Sequence, residues 1–152
     1  MVQYGTIYSN LDDLDTDITY TKEKDTHNFH VNTHLVDIDQ QTPIQGSMPV
    51  SMDYVYSKQG VTIKMDHCPY SAYMVLPVIT SLLDVTEVDS KNMRIRKENG
   101  ILEISCVNGY LKVAPTDADG RIFNPVPGFS FIPLQVFPES PSKKIIVKII
   151  YN

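Results

Sequence analysis

The stretch VSMDYVYSKQGVTIKMDHCPYSAYMVLP, residues Val50–Pro77, carries the clearest structural pattern in the chain. From Val61 to Asp66 apolar and polar residues alternate, and this period of two is typical of a half-buried strand. The SKQG segment before it supplies a turn, because its Gly60 accepts a positive φ without steric cost. The sequence therefore predicts a β-hairpin over residues 50–66.

A third strand follows the hairpin. Residues 70–76 (YSAYMVL) are apolar on both faces, which is typical of a strand covered on both sides, and Pro77 is predicted to end it. Between the strands, Asp66, His67 and Cys68 bring a carboxylate, an imidazole and a thiol together in sequence. Adjacent side chains on an extended chain point in opposing directions, so we interpret this triplet as a structural corner rather than an active site.

The composition fits one soluble all-β domain over residues 1–152. The chain is 42% hydrophobic and 20% charged, and its nine Tyr and ten Pro favour strands separated by many reversals. A net charge of −5 disfavours nonspecific binding to nucleic acid or to an anionic membrane. No apolar run approaches the roughly 20 residues that span a bilayer, and the opening residues lack the pattern of a signal peptide.

Further strands are predicted on both sides of the opening stretch. Asn99-Gly100 and Asn108-Gly109 are strong hairpin signals, Pro133 suggests an edge strand or a bulge, and the last strand is predicted to pair deep in a sheet. The predicted strands cover residues 2–8, 28–35, 92–97, 101–107, 110–114, 129–137 and 143–151, with a connecting loop over 36–49 and a short helical turn over 78–84. The predicted fold is an antiparallel β-sandwich of roughly ten strands with few or no helices, and a small C-terminal sub-sheet from about residue 116 is an alternative.

Two clusters invite a metal. The acidic run Leu11–Asp17 lacks the mid-loop Gly and closing Glu of an EF-hand, so a solvated loop is the preferred interpretation. His27, His30 and His34 lie close in sequence, and on a strand His30 and His34 would share one face. A metal site needs a third ligand, and none sits at a recognised spacing. Polar-face histidines are therefore preferred, and no metal site is predicted.

Other reactive or charged residues have simple structural interpretations. Cys68 and Cys106 allow one disulfide, but two buried free thiols are preferred. Arg94 and Arg96 project from the same side of a strand, with Lys91 and Lys97 close by. These cations could hold the carboxylates or sulfates of an anionic glycan, although a solvated strand face is the simpler explanation.

No motif for a known catalytic or cofactor chemistry is present. The sequence contains no GxSxG, no HExxH, no paired-cysteine zinc pattern and no phosphate loop. A Tyr/His acid–base pair is conceivable among nine Tyr and four His. Elimination at a uronate also needs a group that neutralises the carboxylate, and no spacing assembles these three functions. No catalytic residue and no cofactor are predicted.

The segment DYVYSKQGVTIKMDHCPYSAYMVLP (Asp53–Pro77) resembles the late β-sandwich region of the polysaccharide lyases that cleave hyaluronan and chondroitin, polysaccharide lyase family 8 and its relatives. In that family a strand ending in Asp-His-Gly precedes a strand of the form Tyr-x-Tyr-x-x-x-Pro. Asp66 and His67 match, and Tyr73–Pro77 fits, whereas Cys68 stands where Gly is usual. The acidic, Asn- and Tyr-rich composition resembles that of insect-virus proteins, which points to the chondroitin lyases of the baculovirus occlusion-derived virus envelope.

The resemblance implies a non-catalytic sandwich. In those lyases the catalytic Asn, His, Tyr and Arg sit mainly on a helical toroid, which these residues do not contain, so no catalytic residue is carried over. His67 matches a structural corner, where its imidazole is expected to bond the backbone. The implied partners are a separate toroid domain and an anionic glycan.

Three functions follow as alternatives. The chain is the non-catalytic sandwich of a glycosaminoglycan lyase, a virion envelope structural protein with a lyase-derived sandwich, or a stand-alone carbohydrate-binding module. The first predicts apolar surface left uncovered where the toroid docks. The resemblance implies a virion envelope location for a viral protein, and otherwise secretion with a larger protein.

Overall fold

The structure, a computed structural model, describes residues 1–5, 7–37, 39, 41–78, 84–113 and 132–152. In these residues the chain forms fourteen β-strands and no α-helix. The strands are β1 Val2–Tyr4, β2 Tyr8–Ser9, β3 Asp17–Glu23, β4 Thr26–Thr33, β5 Val36–Asp37, β6 Val50–Ser57, β7 Gly60–Asp66, β8 Ala72–Val78, β9 Val85–Val88, β10 Asn92–Lys97, β11 Gly100–Val107, β12 Gly109–Val113, β13 Ile132–Pro138 and β14 Ile145–Tyr151. The predicted all-β class is confirmed.

The strands assemble two antiparallel sheets. One has six strands in the order β12-β13-β8-β1-β2-β5, and the other has eight in the order β3-β4-β6-β7-β14-β11-β10-β9. The hydrophobic core draws on both sheets, with Met65 and Ile104 from the larger and Met74 and Leu134 from the smaller. This is the predicted antiparallel sandwich, in which each sheet buries one face against the other.

The predicted hairpin over residues 50–66 is confirmed. β6 and β7 pair in register, with Met52 opposite Met65 and Tyr54 opposite Ile63. The alternation seen in the sequence places Ile63 and Met65 in the core and leaves Lys64 exposed. The hydrophobic pattern therefore fixes which face of the hairpin is buried.

The last strand lies deep in a sheet, as predicted. β14 sits between β7 and β11, and Val147 is opposite both Ile63 and Cys106. Ile145 and Val147 are fully buried, so the C-terminal strand is a central part of the larger sheet.

Proline placement differs from the prediction. Pro77 does not end β8, which runs on to Val78, and Pro133 lies in β13, an interior strand of the smaller sheet. The two prolines are directly opposite each other in the β8–β13 ladder. Val75, two residues before Pro77, donates its N–H to the Met1 carbonyl and so away from β13. An N–H at position 77 would point the same way, so the proline there removes no hydrogen bond from the β8–β13 ladder.

The sequence predicted a hairpin at Asn108-Gly109, but the strands on its two sides do not pair with each other in one sheet. β11 belongs to the larger sheet and β12 to the smaller, so the chain turns a corner between the two sheets here. Asn108 has a φ of 59°, and its side-chain amide donates to the Lys144 carbonyl at 2.9 Å. An αL residue thus serves as an inter-sheet corner.

Several smaller predictions change. The strand predicted over 2–8 is two short strands, β1 and β2, joined at Gly5. The predicted loop over 36–49 begins with the two-residue strand β5, and β3 and β9 were not predicted. Of the helical turn predicted at 78–84, Val78 is instead the last residue of β8, and residues 79–83 lie outside the described residues, as do 115–120 and 129–131. β13 lies in the smaller sheet and β14 in the larger. The assignment of residues 1–152 to one domain, with a small C-terminal sub-sheet from about residue 116 as the alternative, stays a prediction.

Gly60 is expected to tolerate no side chain. Its φ is 138°, and a Cβ would lie 2.0 Å from the Ile149 carbonyl oxygen of β14. We predict that Gly60→Ala lowers the free energy of unfolding by about 3 kcal/mol or more, measured by urea denaturation.

Gly46→Ala is the matched control. Gly46 also has a positive φ, 74°, but a Cβ there meets nothing within 4 Å, so only the backbone term of about 1–2 kcal/mol applies. Equal losses for the two variants would contradict the role of the β7–β14 contact.

Candidate functional site

The core-facing side of the larger sheet becomes exposed toward its β3 edge. Met65, Met52, Val31 and Ile18 form one cross-strand row from β7 to β3. Accessibility rises along this row from 1% for Met65 and 2% for Met52 to 61% for Ile18. The smaller sheet therefore covers the middle of the larger one and leaves the core-facing side of its β3–β4 end open to solvent.

The next row toward the hairpin ends is aromatic. Tyr54, Phe29 and Tyr20 are opposite one another on β6, β4 and β3. The Tyr20 and Phe29 rings lie 4.9 Å apart, and Phe29 meets Tyr56 edge to face at 5.9 Å. Because Tyr20 is 50% and Phe29 39% accessible, this end of the sheet presents aromatic surface to solvent.

The row beyond it is polar and cationic. Tyr56, His27 and Lys22 are opposite one another on the same three strands. The Tyr20 hydroxyl and His27 Nδ1 share a hydrogen bond of 2.8 Å, and the two rings stack with centroids 6.0 Å apart. This contact joins the aromatic row to the cationic row.

A shallow depression of about 330 Å³ lies between the ends of the β3–β4 and β6–β7 hairpins. Lys24 and Asp25 occupy the first turn, where Lys24 has a φ of 51°, and Lys58 lies in the second. Lys58 Nζ is 2.8 Å from Asp25 Oδ2, so an exposed ion pair links the two turns. The lining residues are Lys22, Lys24, Asp25, His27, Tyr56, Ser57 and Lys58.

We refer to this region as the open-end surface. It is made of the side chains of Tyr20, His27, Phe29, Tyr56, Lys22, Lys24, Asp25 and Lys58. Three lysines face one carboxylate in it, although the whole chain carries a net charge of −5. Aromatic faces accept the apolar face of a ring and lysines attract anions, so the surface is suited to a ligand that offers both.

The other predicted histidines lie elsewhere. His30 is on the opposite face of β4, where its Nδ1 is 2.7 Å from Asp53 Oδ1 and its Nε2 is 3.2 Å from the Asn32 amide. His34 follows the end of β4, with Nδ1 3.7 Å from Asp13 Oδ2. Only His27 belongs to the open-end surface. Among the described residues, no group of three or more His, Cys, Asp or Glu side chains is arranged to hold a metal ion.

The acidic run over residues 11–17 is not simply a solvated loop. The Asp13 side chain is only 4% accessible, and its Oδ2 accepts hydrogen bonds from the His34 N–H at 2.6 Å and the Thr33 hydroxyl at 3.0 Å. Thr16 and the Asp15 N–H also donate to this carboxylate. Burial by itself would raise the pKa of Asp13, but these hydrogen bonds outweigh it and hold the pKa below its ordinary value.

The predicted cationic group on β10 does not converge. Arg94 and Arg96 do share the outer face of the larger sheet, but Arg94 Nε is 2.9 Å from Glu103 Oε1. The Lys91 ammonium instead donates to the Gly109 carbonyl and pairs with Glu139. At least two of the four cations are therefore engaged by the protein itself.

The Asp66-His67-Cys68 corner does not form an active-site triplet. His67 is exposed with a φ of 57°, whereas Cys68 is buried. The expected contact was a hydrogen bond between the His67 imidazole and the backbone. The contact observed at this corner is instead a hydrogen bond from the backbone N–H of His67 to Asp66 Oδ1, at 2.9 Å. Cys106 is also a free, buried thiol, which confirms the preferred interpretation of both cysteines.

Sequence reasoning missed most of the open-end surface. The signal was present in DITYTKE, where Ile18, Tyr20 and Lys22 alternate with polar residues, and in the Tyr54–Tyr56 spacing of β6. Their meeting depends on the pairing of β4 with β6, which joins strands separated by a long connection.

The fold and this surface define an all-β sandwich domain with an exposed cluster of aromatic rings and lysines at one end of its larger sheet. A family model described as Ulvan lyase C-terminal domain matches residues 1–152, and the chain belongs to this family. It is therefore a C-terminal domain of the polysaccharide lyase type. Comparison with curated proteins and with solved structures gives no match.

The family assignment confirms the resemblance to polysaccharide lyases at this coarser level. It does not support the specific link to chondroitin and hyaluronan lyases or to a baculovirus envelope protein. Within the described ranges, no helix has the length and apolar character needed to cross a bilayer.

Asp13 is expected to stabilise the fold in a pH-dependent way. We predict that Asp13→Asn lowers the free energy of unfolding at neutral pH by about 1–3 kcal/mol, because it weakens several hydrogen bonds to a buried carboxylate. Since the folded-state pKa lies below the ordinary 3.8, the contribution is present above that pH and is lost as the pH falls through the folded-state pKa.

Urea denaturation of both proteins between pH 7 and pH 2 checks this, and their stabilities should converge toward the acidic end. The control is Asp12→Asn, since Asp12 is exposed and its replacement should change stability by less than about 0.5 kcal/mol. A stability gap that stays constant down to the lowest pH would contradict the role of the Asp13 charge.

Proposed function

We propose that this chain acts as the non-catalytic β-sandwich of a polysaccharide lyase and supports a catalytic domain that lies outside these residues. The match of residues 1–152 to a lyase C-terminal domain family supports the proposal. The structural observation that carries it is that the four histidines do not gather at one site. His27, His30, His34 and His67 lie at four separate places, and no two of these imidazoles are joined by a described contact.

The thiols are also unsuited to chemistry. Burial raises the pKa of Cys68 to about 12. Burial likewise raises the pKa of Cys106 to about 11, with Lys91 lowering it and Glu139 raising it to smaller extents. A thiol must ionise to act as a nucleophile, and at neutral pH both remain protonated, so their role is that of small apolar core residues.

One contact favours a second candidate function, elimination at the open-end surface itself. The Tyr20 hydroxyl and His27 Nδ1 are 2.8 Å apart, and Lys22 lies opposite His27. A base, a proton donor and a cation that neutralises a uronate carboxylate are thus close together. The weakness of this candidate is solvent exposure, because electrostatic stabilisation of an elimination is strongest where water is excluded.

The substrate class follows from the type of enzyme. Polysaccharide lyases cleave by β-elimination next to a uronate, so the proposed substrate is an anionic polysaccharide. The family name points to ulvan, and the sequence resemblance points to chondroitin and hyaluronan. The resemblance also implies that the catalytic domain is a helical toroid, and secretion together with that domain is part of the proposal. The virion envelope alternative gains no support from any contact in the structure.

The test is to incubate the purified chain with ulvan, chondroitin and hyaluronan and to follow the ultraviolet absorbance of unsaturated uronate. We predict no product above the rate of the buffer alone with any of the three. Product from the chain alone would overturn the non-catalytic assignment.

Two variants then separate a real activity from a contaminant. Tyr20→Phe and His27→Gln remove the proton-transfer groups of the open-end surface, and Tyr110→Phe, on the smaller sheet, is the matched control. An activity that both variants abolish and the control retains would establish the second candidate function. An activity that survives in all three variants and is lost on further purification would come from another protein in the preparation.

A further inference from the structure

We infer that the open-end surface is a binding site for an anionic polysaccharide segment, with a sugar ring over the aromatic row and its carboxylate or sulfate groups in the depression between the hairpin ends. The inference rests on the proposed function, which gives an acidic polysaccharide as the substrate of the enzyme to which this domain belongs. It adds where that polysaccharide is held and which residues hold it.

The aromatic row provides the stacking platform. Tyr20 and Phe29 are neighbours on β3 and β4, their rings are tilted by 33°, and both are substantially accessible. They lie on the side of the larger sheet whose residues on β6 and β7, Met52 and Met65, are part of the core. A sugar ring with its C–H face on these rings would remove apolar surface from water on both partners.

The cationic row provides the charge. Lys22 lies two positions after Tyr20 on β3, and His27 lies two positions before Phe29 on the antiparallel strand β4. This places the rows about 7 Å apart, on the scale of one sugar residue. Lys24 and Lys58 extend the cationic region across the depression. A chain that stacks one ring on the first row therefore presents the charged group of its neighbour to the lysines.

The charge balance favours an anion over a neutral glycan. The depression has three lysines and one carboxylate, and that carboxylate, Asp25, pairs with Lys58 across the turns. Both partners are highly exposed, so the pair contributes little to stability and is readily exchanged. An incoming carboxylate or sulfate competes with Asp25 for the Lys58 ammonium.

This competition gives the proposal a signature that a damaged fold does not reproduce. Removal of the Asp25 charge frees Lys58 and should strengthen binding of an anion, whereas removal of the Lys58 charge should weaken it. Opposite effects from the two members of one exposed ion pair are expected only when the ligand is negative and binds beside them.

The experiment is isothermal titration calorimetry of the 152-residue chain with three tetrasaccharides. Two are anionic, one prepared from ulvan and one from chondroitin sulfate, and the third, cellotetraose, is the neutral probe. We expect an ulvan or chondroitin sulfate tetrasaccharide to bind, with an affinity that falls as salt is added, and cellotetraose to bind at least about tenfold more weakly. Tyr20→Ala should weaken the anionic probe about tenfold or more and Lys58→Gln about fivefold. Asp25→Asn should tighten it about two- to fivefold.

Two matched controls lie on other faces of the same chain. Tyr110→Ala removes an exposed aromatic ring of the smaller sheet, and Lys148→Gln removes an exposed cation from the outer face of the larger sheet. Both should leave the affinity unchanged. If circular dichroism shows that Tyr20→Ala does not fold, the opposite effects of Lys58→Gln and Asp25→Asn still test the site.

Each outcome bears on the site separately from the proposed function. No binding of either anionic probe, equal binding of cellotetraose, or an affinity that the open-end variants do not change would overturn the site. The same surface would then be assigned to a contact with another protein domain. None of these results affects the non-catalytic assignment, which fails only if the chain alone generates unsaturated product.

Discussion

Strand β14 holds the larger sheet together. It lies between β7 and β11, so its two backbone ladders join β3, β4, β6 and β7 on one side to β11, β10 and β9 on the other. Ile145 and Val147 are fully buried in the core below it. Because β14 comes last in the chain and pairs with residues 60–65, the larger sheet depends on contacts between residues far apart in sequence. Such non-local pairing is entropically costly to form and slows folding.

The different lengths of the outer strands in the two sheets explain the open end. β8 plays the corresponding part in the smaller sheet, where it joins β13 to β1. That sheet ends in the two-residue strands β2 and β5, whereas the larger sheet continues through the seven- and eight-residue strands β3 and β4. A sheet that extends beyond its partner leaves part of its core-facing side uncovered. Side chains there lie on the same side of the sheet as the core residues, but they are exposed to water because no strand of the smaller sheet packs against them.

Local and non-local features differ sharply in what the sequence reveals. The hairpin at residues 50–66 and the pairing of residues 92–97 with 101–107 follow from alternation and turn residues, and both are present. Asn108-Gly109 has the same local signal but forms an inter-sheet corner, because its outcome depends on which sheet the next strand joins. In β3 only Ile18 and Tyr20 carry the apolar side of the alternation, because the third residue on that face is Lys22. A strand whose residues are all exposed has few apolar positions, so its sequence signal is short.

Edge protection explains only part of that surface. β3 is an edge strand, and lysines on such a strand prevent pairing with another molecule, which accounts for Lys22. It does not account for Lys58, which lies in the β6–β7 turn. Nor does it account for the exposed rings of Tyr20 on β3 and Phe29 on β4. Exposed aromatic residues make an edge more adhesive, which is the opposite of protection. An anionic ligand that offers both an apolar ring face and a charge accounts for the lysines and the aromatic rings together.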